Sequence, residues 1–144
     1  MPRRNGDIDH ELISHIGIAV ADFEAAVKRY SLLTGDPSPL IKDVPDQKVK
    51  VAVFSGGGAS PHAKIELLAA TSDDSPIAGF IAKRGGGLHH ICLYVEDIER
   101  KLAELKAAGV RLINETPRIG AEGGKIAFVH PSSTDGVLIE LEER

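Results

Sequence analysis

The fold is decided by the stretch Gly87-Leu88-His89-His90-Ile91-Cys92-Leu93-Tyr94-Val95-Glu96-Asp97-Ile98-Glu99, because a close copy of its second half occurs near the N-terminus. The copy reads His15-Ile16-Gly17-Ile18-Ala19-Val20-Ala21-Asp22-Phe23-Glu24. At an offset of 75 residues, His15 aligns with His90 and Asp22 aligns with Asp97. An internal repeat of this kind indicates a duplicated supersecondary unit. We therefore predict two copies of one unit, each beginning with a histidine.

Each copy opens with a strand and continues into a helix. Ile16, Ile18 and Val20 alternate with smaller or polar residues, so an aliphatic face lies opposite the face that carries His15. Asp22 is a typical helix N-cap, and Gly35 is a typical stop signal. Three further strands complete each copy, which predicts a β-α-β-β-β module. The boundaries are module one at about 12–70, a connector helix at about 74–85 and module two at about 87–143, within a single domain of residues 1–144.

The predicted fold class is α+β. Two tandem β-α-β-β-β modules form a curved, cup-like eight-stranded mixed sheet with helices on its outer face. For module two we predict strands at 110–113, 125–129 and 136–141. After the helices the offset becomes 74, which aligns Glu66 with Glu140, Phe54 with Phe128 and Val51 with Lys125.

Composition limits the range of partners and compartments. The chain has 144 residues, 42% hydrophobic and 26% charged, and a formal net charge of −4, which excludes the basic footprint of a nucleic-acid-binding protein. A single cysteine, Cys92, rules out an internal disulfide and is typical of a reducing compartment. We find no apolar run long enough for a bilayer and no convincing leader at the N-terminus. A cytoplasmic protein without membrane contact is therefore expected.

Four side chains form a candidate metal site. Strand alternation places Glu66 and Glu140 on the faces that carry His15 and His90. One histidine or glutamate on a strand is usually a surface or hydrogen-bonded group, but here each has a counterpart in the other module. Two imidazoles and two carboxylates suit Co²⁺, Mn²⁺, Ni²⁺, Fe²⁺ or Zn²⁺. His89 points to the opposite face and is predicted to be structural, and Cys92 is predicted to be an inert thiol.

Several segments carry a family resemblance over residues 13–142. The duplicated module with ligands on one face resembles the vicinal oxygen chelate superfamily. Within it, the chain resembles the methylmalonyl-CoA epimerases through Ser14-His15-Ile16-Gly17-Ile18-Ala19-Val20, Asp74-Ser75-Pro76-Ile77-Ala78-Gly79-Phe80, Gly87-Leu88-His89-His90-Ile91-Cys92 and Gly136-Val137-Leu138-Ile139-Glu140-Leu141.

The resemblance implies an isomerase that interconverts (2R)- and (2S)-methylmalonyl-CoA by proton transfer at C2. It implies one divalent ion per chain, with Co²⁺ favoured, held by the four side chains, and an acyl-CoA substrate and a homodimer as partners. Glu140 matches a ligand that also acts as an acid or base. The family glutamate expected on the third strand is replaced by Val51. This leaves Asp46, Gln47, Glu66 or a bound water as the second proton carrier.

Positively charged side chains for CoA are less well defined. Lys125 could meet a CoA phosphate or the thioester oxygen, although a solvated strand lysine is the commoner fate of such a residue. Lys48, Lys50 and Arg118 are further candidates.

Two other functions fit the same fold. A glyoxalase I-like lyase also uses a metal with histidine and glutamate ligands, and a bleomycin-resistance-type protein binds its ligand without a metal. A ring-cleaving dioxygenase is less favoured, because its iron site has two histidines and one carboxylate and Glu66 would be a fourth ligand.

Overall fold

The computed structural model describes residues 12–55, 62–120 and 123–144, which fall into two compact units. The first unit is His15–His89, and the second unit is His90–Arg144 together with the described residues before His15. The described ranges contain eight strands and three α-helices, which confirms the α+β class.

The first unit has the predicted β-α-β-β-β order, followed by a helix. Its elements are β1 (Ile13–Ala19, of which the first two residues belong to the second unit), α1 (Phe23–Thr34), β2 (Leu40–Val44), β3 (Val49–Phe54), β4 (Lys64–Ala70) and α2 (Pro76–Arg84). Strand β1 pairs in parallel with β4, and β4, β3 and β2 pair antiparallel in that order.

The second unit repeats this arrangement. Its elements are β5 (Gly87–Val95, of which the first three residues belong to the first unit), α3 (Ile98–Ala107), β6 (Arg118–Ile119), β7 (Lys125–Val129) and β8 (Ile139–Glu143). Strand β5 pairs in parallel with β8, which pairs antiparallel with β7, and β7 pairs antiparallel with β6.

The helix ends confirm the predicted capping. The Asp22 carboxylate accepts the Ala25 N–H at 3.1 Å, and the Asp97 carboxylate accepts the Arg100 N–H at the same distance. Gly35 ends α1 with a φ of 76°, a left-handed conformation that glycine adopts without steric cost. No helix within the described ranges has the length and apolar character needed to cross a bilayer.

The two units differ in their apolar packing. In the first unit, one cluster around Ala26 and Phe54 lies beneath α1, and a second around Val53 lies against Ile77 of α2. In the second unit, a cluster around Leu102 packs α3 against β7 and β8. Both faces of the first sheet are therefore packed with aliphatic side chains.

Two of the predicted strands in the second unit were misplaced. Residues 110–113 form no strand and contribute only an isolated bridge between Leu112 and Val129. The Asn114 side chain accepts the Phe128 N–H at 2.8 Å, so a side chain takes the place of a strand partner here. The edge strand is instead β6. The predicted strand 136–141 begins later, at Ile139, because Asp135 and Gly136 have positive φ values of 58° and 86°.

The predicted alignment of β3 with β7 was also wrong by one residue. Val53 lies opposite Glu66, and Phe128 lies opposite Glu140, so Val53 and not Phe54 corresponds to Phe128. A shift of one residue along a strand moves a side chain to the other face. By the same register Val51 corresponds to Ile126, and Lys125 corresponds to Lys50. The glutamates themselves keep the predicted offset of 74.

Candidate active site

In the first unit, His15 and Glu66 lie side by side. Gly17 is the residue on β1 that pairs with Glu66, and His15 precedes it by two positions, so both side chains lie on one face. The His15 Nδ1 atom is 3.2 Å from a Glu66 carboxylate oxygen. Their side chains are only 9% and 16% exposed, so both polar groups are largely withdrawn from solvent.

In the second unit, His90 and Glu140 repeat the arrangement. Cys92 is the residue on β5 that pairs with Glu140, and His90 again precedes it by two positions. The His90 Nε2 atom is 3.2 Å from a Glu140 carboxylate oxygen, and both residues are buried. The duplicated strand register therefore produces the same histidine–glutamate pair in each unit.

Each pair has the chemistry and spacing of a metal-binding half-site. Imidazole nitrogen and carboxylate oxygen bind divalent transition metals with bonds of about 2.1 Å, so two donors at right angles around an ion lie about 3.0 Å apart. The observed separation in both pairs is 3.2 Å. Burial of an imidazole and a carboxylate costs free energy unless the two are paired, and in each unit the histidine lies within hydrogen-bonding distance of its glutamate. The donors present in each unit thus fit a divalent ion.

A second carboxylate beside the His90 pair was missed in the sequence. Glu142 lies two residues after Glu140 on β8 and so on the same face. It accepts hydrogen bonds from the Ser14 hydroxyl at 2.8 Å and from the Cys92 thiol at 3.6 Å. Strand alternation could have identified Glu142, whereas its Ser14 contact joins residues 128 positions apart and has no local signal.

Cys92 behaves as predicted. Its side chain is fully buried, and burial, together with the charges of Glu140 and Glu142, raises the pKa of the thiol far above its usual range. The thiolate is the reactive form of cysteine, so these surroundings disfavour a nucleophilic Cys92, in keeping with the predicted inert thiol.

Phe128 is a further residue of this face. Its ring meets the His90 imidazole edge to face, with 6.3 Å between ring centroids and an interplanar angle of 80°. It was missed because the predicted alignment equated it with Phe54, which packs under α1.

The other residues singled out in the sequence are packed or exposed, and Val51, although on the Glu66 face of its sheet, is one of the packed ones. His89 is half-buried, and its ring lies edge to face with the Phe80 ring, with 5.0 Å between ring centroids, in keeping with a structural role. Val51 is buried in the cluster beside α2. Asp46 is exposed on a 3-10 turn formed by Pro45–Gln47.

Three of the cationic candidates for CoA binding have local partners, and the fourth, Arg118, is exposed on β6. Lys125 donates to Glu99, on the first turn of α3, at 2.7 Å. This contact places the lysine on the helix side of the sheet, with its side chain 44% exposed, in keeping with the solvated strand lysine favoured from the sequence. Lys48 is ion-paired with Asp74, and Lys50 lies 5.5 Å from the centre of the Phe23 ring.

Comparison with known proteins agrees with this geometry. Residues 14–128 match the glyoxalase/bleomycin resistance protein/dioxygenase superfamily. The ethylmalonyl-CoA/methylmalonyl-CoA epimerase of Cereibacter sphaeroides is 42% identical over 133 residues, covering 91% of this chain and 96% of the relative.

Solved structures give the same result. The crystal structure of methylmalonyl-CoA epimerase from Mycobacterium tuberculosis matches with a TM-score of 0.82 and 36% identity, covering 92% of this chain and 87% of the other. A methylmalonyl-CoA epimerase in complex with methylmalonyl-CoA and NH4+ matches with a TM-score of 0.79 and 33% identity, covering 92% and 93%. The chain therefore belongs to the glyoxalase/bleomycin resistance/dioxygenase superfamily and, within it, to the methylmalonyl-CoA epimerase family.

Proposed function

We propose that this protein interconverts (2R)- and (2S)-methylmalonyl-CoA by proton transfer at C2. The observation that carries the proposal is the buried His90–Glu140 pair, which recurs as His15–Glu66 at the same separation of 3.2 Å. The substrate follows from relatives at 33–42% identity whose names or bound ligands include methylmalonyl-CoA.

We assign one divalent ion to His15, Glu66, His90 and Glu140, with Co²⁺ favoured and Mn²⁺, Ni²⁺, Zn²⁺ or Fe²⁺ as alternatives. Such an ion would stabilise the negative charge that develops on the thioester oxygen when C2 loses its proton. The spacing of each pair and its burial support this assignment.

Glu140 is assigned the proton transfer on one face of C2. A carboxylate can take the C2 proton and return one to the planar carbon. Glu140 is 8% exposed. Epimerisation also needs a proton donor on the opposite face. Val51 is buried and apolar, so that donor lies elsewhere than at the third-strand position used by some relatives.

A glyoxalase I-like lyase is the alternative that must be separated by experiment, since its metal and ligand types are the same. The protein should be incubated in deuterated water with methylmalonyl-CoA and, separately, with a glutathione hemithioacetal. We expect deuterium at C2 of methylmalonyl-CoA and no turnover of the hemithioacetal. The reverse pattern would exclude the epimerase.

A metal-free binding protein of the bleomycin-resistance type makes a different prediction. Elemental analysis of protein prepared with added Co²⁺ and then desalted should give about one divalent ion per chain under our assignment. A metal-free protein that still binds an acyl-CoA or another small molecule would instead support the binding function.

We also propose that the protein is a homodimer in the cytoplasm. Exposed apolar side chains on α1 and β2 support an interface, since Leu32, Leu33 and Leu40 are 86%, 72% and 55% exposed. A molar mass from light scattering equal to one chain would exclude the dimer. The buried thiol of Cys92 is consistent with a reducing compartment.

A further inference from the structure

Phe128 lies beside the proposed acid/base group. It is directly opposite Glu140 in the antiparallel pairing of β7 with β8, and residues opposite each other in a sheet project their side chains on one face. Its ring also meets the edge of His90. An aromatic side chain thus adjoins both polar groups of the second unit.

The position of this ring is fixed through its backbone. The Phe128 N–H donates to the Asn114 side chain at 2.8 Å, and its carbonyl accepts the Ile113 N–H at 2.9 Å. Phe128 is nevertheless only half-buried and lies outside the apolar cluster that packs α3 onto the sheet. A partly exposed aromatic ring on a hydrogen-bonded strand is suited to contact a ligand.

The corresponding residue of the first unit has a different environment. Val53 is opposite Glu66 as Phe128 is opposite Glu140. Val53 is 8% exposed and belongs to the cluster that includes Ile77 of α2. Val53 thus packs against the core, whereas Phe128 remains partly accessible next to the Glu140 carboxylate.

From this contrast we infer that Phe128 limits the size of the alkyl group at C2 of the substrate. The inference rests on the proposed function. C2 carries a carboxylate, a thioester, a hydrogen and an alkyl group, and only the alkyl group gains from an apolar neighbour. If Glu140 exchanges the hydrogen at C2, the ring next to Glu140 is placed to contact that alkyl group and to exclude larger ones.

The test compares methylmalonyl-CoA with ethylmalonyl-CoA, which has one more methylene. Discrimination by one methylene in an apolar pocket amounts to about 10- to 200-fold. In Phe128→Ala, the ratio of kcat/KM for the ethyl substrate to that for the methyl substrate should rise about tenfold. Phe128→Leu, which preserves more of the packing, should raise the ratio by a smaller factor and serves if the alanine variant fails to fold.

Val53→Ala is the matched control, because it removes apolar volume at the same register position of the first unit. It should lower thermal stability and leave the substrate ratio unchanged. An equal fall in kcat/KM for both substrates in Phe128→Leu would overturn the inference and indicate that the ring only positions His90. Wild-type protein inactive on both substrates would instead reject the proposed function.

Discussion

The first and second units share one strand order and one histidine–glutamate pair, but they differ in how their sheets are covered. The first unit has apolar clusters on both faces, one under α1 and one beside α2. In the described part of the second unit, the apolar cluster lies on the α3 side. The other face carries the buried Ile126, but its remaining groups are mainly polar or aromatic, namely His90, Cys92, Phe128, Glu140 and Glu142. The histidine–glutamate pair is thus common to both units, while the surrounding residues are mainly apolar in the first unit and mainly polar or aromatic in the second.

The largest expected effect tests whether both units supply ligands. His15→Ala and His90→Ala should each abolish stoichiometric metal binding and epimerisation, because each removes the only imidazole of its pair. Metal content after desalting and the epimerisation rate measure this. His130→Ala is the control, since the His130 Nδ1 atom accepts the Ser132 N–H in a turn. If His15→Ala kept both metal and activity, only the second unit would form the site.

A loss of stability of intermediate size is expected from substitutions in the apolar cluster under α1 and in the apolar cluster under α3. Leu67 and Leu102 are buried in the first and second units, at 0% and 3% exposure. Replacing either by alanine leaves a cavity and should lower the free energy of unfolding by about 2–5 kcal/mol. Denaturant unfolding measures this. A loss below about 1 kcal/mol at either position would contradict the packing described here.

The smallest expected effect concerns the two helix caps. Asp22→Ala should cost about 1 kcal/mol, because it removes the acceptor for the Ala25 N–H. Asp97→Ala removes a similar hydrogen bond, but it also removes one of three negative charges that repel one another. The carboxylate oxygens of Asp97, Glu99 and Glu143 lie within 4.8 Å of one another. Its loss should therefore be smaller. Thermal unfolding of both variants at low salt measures the difference, and a larger loss for Asp97→Ala would refute this explanation.

The sequence predicted much of the fold because its signals are local. Alternating aliphatic residues located β1, the predicted strand at 125–129 coincides with β7, and an aspartate followed by an apolar helix located α1 and α3. Alternation also placed Glu66 and Glu140 on the faces that carry His15 and His90, whereas the contact within each pair depends on the pairing of β1 with β4 and of β5 with β8.

The remaining features depend on long-range contacts. The register of β7 could not be obtained from the repeat, because the offset is 75 along β7 and 74 at the glutamates and at Gly35 and Gly109. This error hid Phe128 and equated Lys125 with Val51, which corresponds to Ile126 instead. The absence of a strand at 110–113 has a similar origin. The Asn114 side chain, and not a strand backbone, accepts the N–H of Phe128, which is 14 positions away in the sequence.

The role of Glu140 in proton transfer at C2 is tested most directly by exchange of the C2 hydrogen of methylmalonyl-CoA in deuterated water. NMR measures this exchange for the wild-type protein and for Glu140→Gln at equal metal occupancy. Glutamine preserves the shape of the side chain but cannot accept the proton. The wild type should incorporate deuterium at C2 of both epimers, and the variant should be slower by about 10²- to 10⁴-fold. An unchanged rate in Glu140→Gln, or no exchange by the metal-loaded wild type, would contradict the account.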